Sequence, residues 1–188
     1  MDTTAPYRNV VNGLDLTALN GIVQEISDDP ANGMATFNVR SNWQGQTKST
    51  HRIDGLTLGG TFIPRPFVIQ ADEPEEFLGE NSAPNPQELL MAAFNACILV
   101  GYVAGAAVHN IRLDSVEIET TGTLDLRGFL GLDDGVAPGY EKVTTTVRIK
   151  GDGTPEQFAE IHETVKKTSP NYFNVTRPVV VDCNLVVE

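Results

Sequence analysis

The chain has 188 residues, a formal net charge of −12 and two cysteines. The acidic balance argues against nucleic acid or an anionic membrane surface as partner, and two cysteines 86 residues apart with no Cys-x-x-Cys argue against a zinc site or a disulfide framework. The length suits one domain with a real core, and MDTTAPYRNVVNGLD carries neither a basic n-region nor an apolar h-region, so a reduced, cytoplasmic setting is expected.

Residues 1–18 show little periodicity and read as an N-terminal arm. Residues 19–84 read as a β-meander and link. Leu19 to Ser27 alternates weakly and predicts a strand, DDPANG is turn chemistry, and Met34 to Trp43 predicts a second strand. Gln44-Gly45-Gln46 leads to a third, Thr47 to Ile53. Gly55 to Pro64 is expected as a loop or short strand, and Arg65 to Asp72 as a further strand. The acidic link DEPEEFLGENSAP then feeds the stretch around which the chain is organised.

That stretch is NPQELLMAAFNACILVGYVAGAAV, residues 85–108, within a central helix predicted over 85–110. Asn85 suits the cap, Pro86 the first helical position, and Glu88 the positive end of the dipole. From Leu89 to Val108 there is no charge, Asn95 is the one strongly polar residue, and six alanines and two glycines keep the segment slim. Its twenty uncharged residues reach the length of a membrane span. Alanine and glycine add little insertion energy, however, and no lysine or arginine cluster flanks the segment. A helix apolar on every face must be covered on every face, by a sheet or by its twin in a dimer, and Gly101 and Gly105 permit close helix–helix approach.

Residues 111–188 read as a ββαβ lobe. Ile111 to Leu126 and Tyr140 to Lys150 predict paired strands, with Val116 and Ile118 inward on one and Val143, Thr145, Val147 and Ile149 sharing a face of the other. The glycine-rich connection RGFLGLDDGVAPG leaves Phe129, Leu130 and Leu132 exposed unless they cover something. Thr154-Pro155-Glu156-Gln157 is a capping box with proline at the first position. Phe158, Ile161, His162 and Val165 line one face of the helix that follows, and Ser169-Pro170-Asn171 breaks it. Val179 to Val187 predicts the last strand, with Cys183 facing its core. The order is α+β, antiparallel sheets on a long buried helix, in a single domain over residues 1–188.

The three histidines share no metal-ligand spacing, and no phosphate loop, GxSxG or dinucleotide fingerprint is present. No metal or cofactor is expected. A lone buried cysteine is usually a small hydrophobe, so Cys97 needs more than its position to count as reactive.

NPQELLMAAFNAC resembles the signature of the OsmC and organic hydroperoxide resistance proteins, whose central helix begins near an Asn-Pro and carries a cysteine eleven residues after the proline. The element order, the Val-Glu-Ile strand and the Ser-Pro break agree with that family over roughly residues 33–188. The resemblance implies an OsmC-like fold, an intertwined homodimer with the cysteine helices at its centre, and a cysteine peroxidase acting on organic hydroperoxides. Cys97 matches the nucleophile. The second cysteine, which resolves the oxidised first, is matched by Ser169, and the glutamate ten residues before the nucleophile by Gln87. The arginine that stabilises the thiolate comes from the N-terminal half, where Arg40, Arg52 and Arg65 are candidates. Asn95 is expected to line the pocket or to hydrogen bond across the dimer. Three readings follow as expectations: a one-cysteine peroxidase recycled by an external thiol reductant, a non-catalytic protein binding a small apolar ligand in the dimer-interface pocket, or a structural dimer in which Cys97 only packs.

Overall fold

The structure, a computed structural model, describes residues 9–187; of the arm expected over residues 1–18, residues 1–8 lie outside them, and the rest forms a hairpin and the start of a helix. It consists of two compact units, one running to Ala92 and one from Ala93.

The first unit opens on a hairpin of β1 (Val10–Val11) and β2 (Leu14–Asp15). Its turn, Asn12-Gly13, has φ of 52° and 82°, the geometry that favours those residue types. Helix α1 (Leu16–Asp28) follows, capped by Asp15, whose carboxylate accepts from the Thr17 and Ala18 backbone N–H groups. This corrects the strand expected over Leu19 to Ser27. Alternation there spans only a few residues, whereas Leu16, Leu19, Ile22, Val23 and Ile26 recur at helical spacing behind an aspartate cap.

Met34 to Trp43 is likewise two short strands instead of one, β3 (Ala35–Phe37) and β4 (Arg40–Trp43). Both pair antiparallel with β5 (Ser49–Leu58), whose other edge carries β6 (Thr61–Ala71). The segment expected as a loop or short strand, Gly55 to Pro64, is the middle of this long hairpin. Gly59 and Gly60, at φ of 53° and 78°, supply a two-residue turn tight enough for both strands to continue to it. Pro64 and Pro66 fit because β6 is an outer strand of this sheet.

The acidic link is held by one side chain. Asp72, 1% exposed, accepts from the Thr47 and Ser82 hydroxyls and from the backbone N–H groups of Glu73, Glu80 and Ser82. The Thr47 hydroxyl first, then that of Ser82, holds its carboxyl far below the usual carboxylate range. Residues 72–82 thereby fold back on themselves before the long helix begins.

Helix α2 (Pro86–Val108) starts on a reciprocal box: the Glu88 N–H donates to Asn85 Oδ1, and the Asn85 N–H to Glu88 Oε2. It ends at Asn110, at φ 55°, where the Ile111 N–H returns to the Ala106 carbonyl. By length and composition it meets the criterion for a membrane span.

In the second unit, β7 (Leu113–Gly122) and β8 (Val143–Gly151) pair antiparallel. Phe94, Ile98, Tyr102 and Ala106, four residues apart on α2, form the core with Ile111, Ile161 and Val165, and Val116, Ile118, Val147 and Ile149 pack on it from the sheet. Between the strands lies the one-turn α3 (Leu126–Phe129), with Phe129, Leu130 and Leu132 all exposed. Helix α4 (Pro155–Thr168) begins on the expected capping box. A Cβ at Gly101 would lie 3.0 Å from Val165 Cγ2 and one at Gly105 2.9 Å from Ile161 Cγ2, so the two glycines let α4 approach α2. After the break at Ser169, helix α5 (Pro170–Thr176) follows directly.

Two expectations about burial do not hold within the single chain. Helix α2 is buried along one stripe, leaving Leu90, Val100 and Val108 exposed. Val179 to Val187 forms no strand. Its apolar alternation suits a sheet, but a strand exists only with a partner edge, and the segment has none among the described residues.

Candidate functional site

Cys97 lies midway along α2, one residue off the core stripe. Its Sγ is 3.3 Å from the Oγ of Ser169, the residue that links α4 to α5 and is 7% exposed. The placement of Ser169 follows from its sequence: Pro170 at the first helical position ends α4, and a serine before proline is a good cap. The Ser169 Oγ accepts from the Tyr172 N–H at 3.3 Å, while its own N–H donates to the Val165 carbonyl. One turn of α2 is thus fastened to the start of α5, since Asn171 Nδ2 also donates to the Ala93 carbonyl at 2.9 Å and the Phe94 and Tyr172 rings lie 6.3 Å apart.

The expected pocket residue Asn95 is committed to the sheet of its own chain. Its Oδ1 accepts from the Thr120 hydroxyl at 2.6 Å and its Nδ2 donates to the Ile118 carbonyl at 3.4 Å. A polar side chain in an otherwise apolar helix is thereby satisfied by β7. Gln87, in the first turn of α2, is exposed.

The three candidate arginines all belong to the first unit. Arg40 and Arg52 are register partners on β4 and β5, Arg52 pairs with Asp54 at 3.2 Å, and the Arg65 guanidinium carbon lies 5.4 Å from the centroid of the Phe67 ring.

Cys183, expected in a strand core, is exposed. With no sheet formed by Val179 to Val187 there is no inner face for it to occupy.

A polar pair the sequence reading missed lies on the core stripe. The buried Tyr102 hydroxyl and His162 Nδ1 share a hydrogen bond, and their rings stack at 6.0 Å. Burial, with Glu163 nearby, pushes the Tyr102 phenol up to about 12. The available signal was the four-residue spacing of Phe94, Ile98 and Tyr102, which puts the hydroxyl on the packed face where it needs a partner.

The family profile described as OsmC-like protein matches residues 79–184. Among solved structures, an OsmC-like protein from Mycoplasma pneumoniae is 15% identical with a TM-score of 0.59, over 75% of this chain and 87% of that one. An OsmC-like protein of unknown function from Vibrio cholerae is 16% identical with a TM-score of 0.55, over 74% and 93% of the two chains. No curated protein matches the chain by sequence.

Proposed function

The chain belongs to the OsmC-like family, and we propose that it is a one-cysteine, thiol-dependent peroxidase reducing organic hydroperoxides at Cys97. The observation that carries this reading is the 3.3 Å contact between Cys97 Sγ and Ser169 Oγ. A thiolate is the nucleophile in such chemistry and needs its charge stabilised. Ser169 already accepts from the Tyr172 N–H, so its hydroxyl proton is the one available to point at an ionised sulfur.

The Cys97 thiolate attacks the terminal, hydroxyl-bearing oxygen of ROOH, the O–O bond breaks, and the alkoxide leaves and takes a proton from solvent as ROH. The sulfur, oxidised by two electrons, is a sulfenic acid. A serine hydroxyl cannot form a disulfide with it, so an external thiol condenses with the sulfenic acid to release water. A second thiol then displaces Cys97 as thiol and leaves as the mixed pair's disulfide. A cation for the thiolate is assigned to Arg40, Arg52 or Arg65, from either copy of a dimer.

We place two copies in the working assembly. Supporting this are the exposed Leu90, Val100 and Val108 of α2, the exposed Phe37, Trp43 and Phe67 of the first unit's sheet, and Val180 and Leu185, each 90% exposed. Large apolar side chains exposed in this number are what a partner copy would cover. A second copy accounts for it better than lipid does, because α2 already commits Asn95 to β7 and Gly101 and Gly105 to α4.

The test is sulfenic-acid trapping. After one equivalent of cumene hydroperoxide, dimedone should add to Cys97 in intact-protein and peptide mass spectra, and the Ser169→Ala variant should label more slowly. Absence of any adduct at Cys97, with the thiol still free, would remove the proposal.

A further inference from the structure

The second unit holds a cavity separate from the chemistry at Cys97. It has a volume of about 280 Å³ between α2, α4, α5 and β8, and neither Cys97 nor Ser169 lines it. Small-molecule pockets commonly begin near ~300 Å³, and an apolar cavity of about 150 Å³ accommodates benzene. The space therefore suits one substituted ring, and a lipid chain is too large for it.

The lining specifies more than size. The rings of Phe94, Tyr102 and Tyr172 form part of the wall, and Val143 and Val147 face it from β8. Such a surface favours a flat, polarisable body in offset or edge-to-face contact. The polar lining includes the Tyr102–His162 pair and Lys166, but the Lys166 ammonium is taken up by Glu163, at 2.9 and 3.0 Å from its two oxygens. With that charge matched and a chain of net charge −12, an anion has little to gain here. The Thr145 and Thr176 hydroxyls that also line it are bonded to Thr120 and to the Tyr172 carbonyl, and the protonated Tyr102 hydroxyl, already joined to His162, is left to share a hydrogen bond with a ligand.

We infer that this cavity binds a small uncharged aromatic alcohol, its ring against Phe94, Tyr102, Tyr172 and the β8 valines and its hydroxyl joined to the Tyr102–His162 pair. The site lies within one chain and operates whether or not Cys97 turns over peroxide.

Titration calorimetry of the full chain with 4-methylphenol tests this, with toluene and 4-methylbenzoate as controls. One site per chain is expected, with equal affinity in wild type and Cys97→Ser. Binding should weaken at least tenfold in Val147→Phe, which fills the space, and severalfold in His162→Ala, at an exposed position. Toluene should bind more weakly by a similar factor to His162→Ala. The inference is overturned if 4-methylphenol shows no saturable binding, if folded Val147→Phe and His162→Ala both bind it as wild type does, or if 4-methylbenzoate binds more tightly.

Discussion

Cys97 Sγ and Ser169 Oγ lie 3.3 Å apart although 72 residues separate them in the chain. The position that the family resemblance matches to a resolving cysteine is therefore in place beside Cys97, with oxygen where sulfur would complete a disulfide. Substituting that atom should restore the bond. In Ser169→Cys, one equivalent of hydroperoxide should yield an internal disulfide to Cys97, read as the loss of two protons' mass and two free thiols. Persistence of both thiols, or a stable sulfenic acid at Cys97, would show that the two side chains do not meet in solution.

The α2–α4 packing should tolerate little added volume. Gly101→Leu or Gly105→Leu drives a side chain into Val165 or Ile161, and overpacking of this kind costs about 1–3 kcal/mol. Urea denaturation followed by circular dichroism should show a lowered midpoint for each. Unchanged midpoints would mean that α4 does not rest on those glycines.

Asp72 should make stability depend on acid. Its folded pKa lies below the unfolded value of about 3.9. Its contribution is therefore present in full above that value and is lost as pH falls through it toward the folded pKa. Urea titrations between pH 7 and pH 2 should show wild type losing more stability than Asp72→Asn, which starts lower because its amide replaces an oxygen acceptor with a donor. Parallel curves would contradict the five hydrogen bonds assigned to that carboxylate.

How far the sequence reaches depends on whether a signal is local. The α2 and α4 boundaries were legible because caps and proline act within one turn. The inward faces of β7 and β8 were legible from alternation, at Val116 and Ile118 on one strand and from Val143 to Ile149 on the other. Helix α1 was misread because Ile22 to Ile26 satisfies period two over too short a window, and the Asp15 cap was passed over. Val179 to Val187 has strand composition, but pairing is a tertiary event that composition does not supply, and the expected burial of Cys183 failed with it. At the site, Cys97 and Ser169 were singled out by the family resemblance, and the 3.3 Å between them is a tertiary fact. The bond of Asn95 to Thr120 and that of Tyr102 to His162 join distant segments, and nothing in either segment alone announces the partner.

Assembly is a separate prediction. Sedimentation equilibrium at micromolar concentration should give twice the chain mass, because the exposed face of α2 and the unpaired Val179 to Val187 need cover. A stable monomer would contradict the two-copy assembly while leaving the Cys97–Ser169 geometry intact.

The most direct test of the peroxidase reading is steady-state consumption of cumene hydroperoxide with an added dithiol. Wild type should turn over well above background, and Cys97→Ser should fall to background. Cys183→Ser should retain most of the rate, since the external thiol resolves the sulfenic acid. An alanine at whichever of Arg40, Arg52 and Arg65 serves the thiolate should cost at least tenfold. Background turnover in wild type, or a rate that survives Cys97→Ser, would contradict the account.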